Sequence, residues 1–157
     1  MSNLQSAFDK LLEEQRELQK KFQTTAQALF KETTKEFFDK NPNVTAIVWT
    51  QYTPYFNDGD TCEFGVRDAT FTNAPDPENV RWGEYDGDEE VAADGSEIFA
   101  WEGWGEAPHG LNTEMCKAFD RMIQSSEMED VMKAMFGDHV KVVATREGFD
   151  VDDYDHD

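Results

Sequence analysis

Val44-Thr-Ala-Ile-Val-Trp-Thr-Gln-Tyr-Thr53 is the stretch on which the fold turns. It is rich in β-branched and aromatic residues. Val44, Ala46, Val48, Thr50 and Tyr52 alternate with Thr45, Ile47, Trp49 and Gln51, which is the period of a strand. Downstream, Pro54 and Asn57-Asp-Gly-Asp60 supply turn residues, and Cys62, Phe64 and Val66 then alternate with Glu63 and Arg67. The pattern predicts a hairpin over 43–67.

Upstream of the hairpin the period changes from two to three or four. Leu4, Phe8, Leu11, Leu18, Phe22, Ala26, Leu29 and Phe37 form one apolar stripe, with Gln15 and Thr33 filling its gaps. Ser2 with Gln5 reads as a capping box, and Asn41-Pro42 ends the helix. A helix over 3–40 would be about 57 Å long, against about 40 Å for the diameter of a compact domain of 157 residues. Such a helix must protrude, break or find a partner. A second copy is the simplest one, with Leu11, Leu18, Phe22 and Leu29 as the contact residues.

Beyond the hairpin, Asn73-Ala-Pro-Asp-Pro77 breaks the pattern, and Trp82 to Gly95 is rich in Gly and acids, so 73–96 reads as an acidic surface loop. Glu97 to Trp101 fits a third strand. A helix pair is predicted over 113–136, from Met115, Phe119, Met122 and Ile123 and then from Val131, Met132, Met135 and Phe136. Ser126 with Glu129 would cap the second helix and Gly137 close it. Val140, Val142 and Ala144 predict a C-terminal strand over 139–146, and 152–157 reads as an acidic tail. The fold class is therefore α+β, organised as a long amphipathic helix (1–41), an α+β domain (42–151) and the tail.

The charge is uneven. Against 14 Lys and Arg stand 34 Asp and Glu, a formal charge of −20. Residues 1–41 hold seven of each sign and are neutral, whereas 57–106 carry a net charge of −13 with Arg67 and Arg81 as their bases. The last eleven residues hold six acids and no base. Such a chain repels nucleic acid and anionic lipid, so direct binding of either through a basic face is excluded. No apolar run approaches a membrane span and the first residues do not form a signal peptide, which predicts a cytoplasmic protein. Two cysteines suit a reducing compartment.

Catalytic chemistry is sought in vain. The glycines of Trp101-Glu-Gly-Trp-Gly-Glu106 are flanked by acids, which oppose a phosphate. His109, His139 and His156 have no partner at metal-ligand spacing. Asp58-Gly-Asp60 and Asp86-Gly-Asp88-Glu-Glu90 lack the loop pattern of a calcium site. Cys116 lies on an apolar helix face and reads as an inert thiol. No cofactor, metal or enzymatic activity is predicted. Trp82, Trp101 and Trp104 lie in or beside the most acidic segment, a composition frequent in binding surfaces, although a strand position favours core packing for Trp101.

The stretch Trp49-Thr-Gln-Tyr-Thr-Pro-Tyr-Phe-Asn-Asp-Gly-Asp60, after a long helix and before a Cys-x-Phe strand, resembles small acidic proteins of tailed bacteriophages over residues 40–70. That resemblance implies a counter-defence or host-takeover factor in the host cytoplasm. Such a factor would block a host or defence protein with a basic surface, in some cases by resembling DNA. The residues assigned to that contact are Asp86, Asp88, Glu89, Glu90, Trp104, Asp153, Asp155 and Asp157. In an extended chain the last three aspartates share one side at about 6.8 Å spacing, about twice the axial rise per phosphate of a DNA strand. Two alternatives are a sponge for a small nucleotide signal, which lacks an evident Arg/Lys cluster, and an oligomeric phage structural or assembly component.

Overall fold

In the computed structural model the described residues are 3–55 and 62–155. The chain divides into two units, Met1–Thr33 and Thr34–Asp157. The first is helical. It belongs to α1 (Asn3–Lys40), which matches the helix predicted over 3–40. Ser2, half of the expected capping box, lies outside the described residues, and Gln5 instead donates to Asp9.

The second unit is built on an antiparallel sheet. Its strands are β1 (Ala46–Tyr52), β2 (Gly65–Val66), β3 (Thr70–Thr72), β6 (Ala100–Trp101), β7 (Val140–Thr145) and β8 (Gly148–Asp153), in the order β6-β3-β1-β7-β8. β2 pairs with the far end of β1, where Gln51 faces Val66, so the predicted hairpin is present. A separate ribbon joins β4 (Val80–Arg81) to β5 (Glu84–Tyr85). The helix pair is α2 (Thr113–Gln124), capped by the Asn112 side chain on Met115 N–H, and α3 (Glu129–Phe136), closed by Gly137 at φ +98°. Ser126 does not cap; its hydroxyl bonds the neighbouring Glu127 carboxylate at 3.4 Å.

The alternation in β1 sends its side chains to two buried layers. Trp49 packs on Phe119 of α2 and Phe136 of α3, with ring centroids 6.1 and 5.9 Å apart, and Phe71 of β3 packs on Phe37 and Phe119. Gln51, fully buried, crosses this helical layer. Its amide donates to the carbonyls of Met132 (2.9 Å) and Gly137 (2.8 Å) and accepts from the Trp49 indole (3.1 Å). On the other face Ala46, Val48 and Val143 pack against Ala74, Val80, Tyr85, Ile98 and Ala100. The expected acidic loop 73–96 is thus a structural cover: it contains the β4–β5 ribbon and buries Ala74, Val80 and Ala92. Arg146 closes the domain by donating to the carbonyls of Phe38, Asn41 and Val44, which completes the C-terminus of α1.

Candidate functional site

The acidic ribbon is held by a tight local network. Trp82 and Gly83, at φ +52° and +76°, form the two-residue turn between β4 and β5, so both sit in the left-handed region that hairpin turns of this length require. Glycine takes that conformation freely, whereas tryptophan is strained there. The Gly83 N–H is anchored on the Thr70 hydroxyl. Tyr85 donates to Asp76, which lowers the carboxyl pKa, and burial with this hydrogen bond pushes the phenol up to about 12. Gly87 lies against that pair so closely that any Cβ would run into the Tyr85 hydroxyl and the Asp76 carboxylate. The turn cannot relax outward without giving up its anchor.

From this base Asp86, Asp88, Glu89 and Glu90 are all exposed. Among the described residues the ion pairs join Lys40 to Glu36 at 2.7 Å and His139 to Asp138 at 3.6 Å, and none involves the acids of the ribbon or of β8. Crowding of negative charge continues behind the turn, where burial and then Asp68, Asp120 and Glu84 raise the pKa of Glu102. Alongside runs an open groove of about 720 Å³ whose lining includes Asp94, Glu97, Glu106, Ile98, Phe99 and Pro108. Asn73 holds its wall by donating to the Glu97 carbonyl and accepting from Phe99 N–H. Trp104, 72% exposed, stands two residues before Glu106. Trp101 is buried, as its strand position predicts, and its indole N–H has no partner among the described residues.

The C-terminal acids are placed differently from expectation. Asp152 and Asp153 belong to β8 and not to a tail, because Phe149 and Val151 give this segment a strand's alternation and β7 offers it a full ladder. Phe149 packs on Phe136 at 5.1 Å, so Phe149, Val151 and Asp153 point to the helical side of the sheet. Asp150 and Asp152, neither of them among the predicted contact residues, point to the side of the ribbon, where Asp152 and Glu78 both act on Lys141. Asp153 is therefore on the opposite face of the sheet from the ribbon. Asp155 is exposed beyond the strand, and Asp157 lies outside the described residues, as do Asp58, Asp60 and His156.

On the ribbon side, beyond the apolar cover, the basic residues of this acidic region converge. Arg67 stacks on Tyr52 at 4.4 Å and Arg81 on Trp82 at 4.5 Å. Tyr154 lies 5.7 Å from Tyr52 and shares a hydrogen bond with Trp82. Lys141, next to Arg81 in a cleft with Thr50, Thr70 and Trp82, donates to the Glu78 carbonyl at 2.7 Å. Burial and then Arg81 push its pKa down. An Arg/Lys cluster is thus present, assembled from three distant segments.

No group of three or more His, Cys, Asp and Glu is placed to hold a metal among the described residues. Cys116 is buried, and burial pushes its thiol up to about 12, so it is not a nucleophile at neutral pH. No helix among the described residues is long and apolar enough to cross a membrane. Comparison with protein-family models, curated proteins and solved structures found no match.

Proposed function

We propose that the chain is a non-catalytic acidic inhibitor of the phage type, which covers the basic surface of a host or defence protein in the host cytoplasm. The observation that carries this reading is the uncompensated charge of the β4–β5 ribbon. Its acids are exposed, unpaired and held by a turn that packing around Gly87 fixes in place. Like charges so concentrated repel one another, and solubility is served as well by scattered ones. The adjoining groove, lined by Asp94, Glu97 and Glu106 together with Ile98, Phe99 and Pro108, suits a basic side chain with a long aliphatic stem. Trp104, two residues before Glu106 in the chain, has the exposure and chemistry of an anchor. Affinity capture from host lysate tests the reading: a basic protein should be retained at low salt, released as salt rises, and displaced by added duplex DNA if the surface imitates nucleic acid. Recovery of no basic protein at low salt would count against it.

A second reading, a sponge for a small nucleotide, is favoured by the convergence of Arg67, Arg81 and Lys141 on Tyr52, Trp82 and Tyr154. Stacked aromatics and guanidinium groups are what a base and a phosphate require. Asp68, Glu78 and Asp152 stand close by and oppose an anion, which places this reading second. Trp82→Asn separates the possibilities. Asparagine tolerates the left-handed turn, so the variant should be more stable by about 0.5–1 kcal/mol. Thermal stabilisation of the wild type by cyclic or linear nucleotides, abolished in Trp82→Asn, would establish the sponge. Unchanged melting with every nucleotide would remove it.

A further inference from the structure

The geometry points to an antiparallel two-stranded coiled coil formed by residues 4–29 with the same residues of a second copy of this chain. Leu4, Phe8, Leu11, Gln15, Leu18, Phe22, Thr25 and Leu29 follow one another at alternating steps of four and three, an unbroken 3.5-residue repeat. All eight are exposed, and the six large apolar ones among them between 54% and 81%. The seam stops where it should. Its next two positions are Glu32 and Glu36, while the buried face of α1 from Thr34 onward is Thr34, Phe37 and Phe38. Phe37, assigned to the stripe by sequence, therefore belongs to the core of the second unit.

A second copy fits this face better than an unrelated partner for three reasons. First, residues 1–41 are neutral in a chain of charge −20, so two such segments meet without the repulsion that the acidic stretches 57–106 and 147–157 would suffer. Second, the seam is self-complementary when the strands run in opposite directions. Leu4 then faces Leu29 of the second copy, Phe8 faces Thr25, Leu11 faces Phe22 and Gln15 faces Leu18, so that each aromatic ring meets a smaller side chain. Parallel strands would instead stack Phe8 on Phe8 and Gln15 on Gln15. Third, the positions flanking the seam on one side are Ala7, Glu14, Lys21 and Ala28. Opposed strands bring Glu14 against Lys21 of the second copy, twice by symmetry. Parallel strands set Glu14 against Gln19 and Lys21 against Ala26, with no ion pair.

Direction also governs the remaining charge. Each chain's −20 lies beyond residue 41, so parallel strands would crowd both acidic parts at one end. Opposed strands set the two ends of the seam about 39 Å apart, several screening lengths at physiological salt. The area is sufficient: twelve large side chains burying on the order of 100 Å² each reach the lower end of stable interfaces, about 1,200 Å².

The test uses the full chain, and its result is independent of what the acidic surface binds. Light scattering at micromolar concentration should give twice the 18.0 kDa of one chain, and Leu18→Glu with Phe22→Glu should give a monomer that keeps the near-UV signal of the buried Trp49 and Trp101. Glu14→Lys alone and Lys21→Glu alone should each weaken dimerisation on the order of tenfold, and the double exchange should restore it. For direction, Cys62→Ser removes the accessible thiol and leaves the buried Cys116. In that background a Phe8→Cys chain should cross-link to a Thr25→Cys chain, and Thr25→Cys alone should not cross-link to itself. A wild-type monomer or a higher oligomer overturns the proposal. So does self-cross-linking of Thr25→Cys, or a double exchange that fails to restore the dimer.

Discussion

Gln51→Leu is expected to cost about 3–5 kcal/mol of unfolding free energy and to lower Tm by about 10–20 °C, although leucine is apolar, similar in size and buried. The amide of Gln51 is matched on all sides by buried partners, the carbonyls of Met132 and Gly137 and the indole of Trp49. Leucine leaves all three without it. Gln51→Glu sharpens the point. It keeps an acceptor for Trp49 but turns a carboxylate towards two carbonyls, so its pKa in the folded state must lie above the unfolded value. A folded state that binds the proton more tightly gains stability relative to the wild type as pH falls through that raised pKa. The deficit of Gln51→Glu should therefore be largest at neutral pH and shrink towards pH 4–5, whereas that of Gln51→Leu should not. Chemical denaturation of the three proteins across this range decides it. Equal stability of Gln51→Leu and wild type would mean that α3 docks by apolar contact alone.

The long helix, the helix pair and β7 were legible from periods sustained over six residues or more, and β1 from its run of β-branched and aromatic residues, although both of its faces are buried. β3 was not. All three of its residues, Thr70, Phe71 and Thr72, are buried, so it has no alternation to read. The β4–β5 ribbon was hidden for a related reason: its strands are two residues each, and its turn places Trp82 where sequence rules expect asparagine or glycine. In β8 the acids from Asp152 onward read as a tail, yet an edge strand accepts charge on its open side and is protected from further pairing by it.

The acidic surface was legible in composition and not in arrangement. Charge counting singles out Asp86, Asp88, Glu89 and Glu90, all of which are exposed, as is Trp104. It could not show that Asp94, Glu97 and Glu106 line one groove, since Asn73, a residue far from all three, holds that wall. Nor could it set Arg67 on Tyr52, which the pairing of β1 with β2 brings about, or place Lys141 beside Arg81 and Trp82 in one cleft. An apparent lack of a basic cluster was a lack of local spacing. The stripe of α1 divides likewise: period alone ran it to Phe37, whereas its large apolar residues are exposed from Leu4 to Leu29 and the buried positions are Phe30, Thr34, Phe37 and Phe38.

Neutralising Asp86, Asp88, Glu89 and Glu90 together to Asn and Gln should leave the protein folded and bind its basic partner on the order of tenfold more slowly, or worse, at low salt. Stability should change by less than about 0.5 kcal/mol, because exposed charges contribute little and their mutual repulsion is relieved. The substitutions spare Gly87 and the Tyr85–Asp76 pair, which hold the turn, and the contact of Asp86 with Asn79 runs through the main chain. Long-range charge steers encounter, so the deficit should lie in the association rate and fade as salt is raised. Asp150→Asn with Asp152→Asn should act in the same direction, since both face the ribbon side, whereas Asp153→Asn should do less. Trp104→Ala should instead raise the dissociation rate, as loss of a desolvated anchor does. Surface-plasmon measurements at two or more salt concentrations separate these effects. If the quadruple variant binds as fast and as tightly as the wild type at low salt, the acids of the ribbon serve solvation and the partner is held elsewhere.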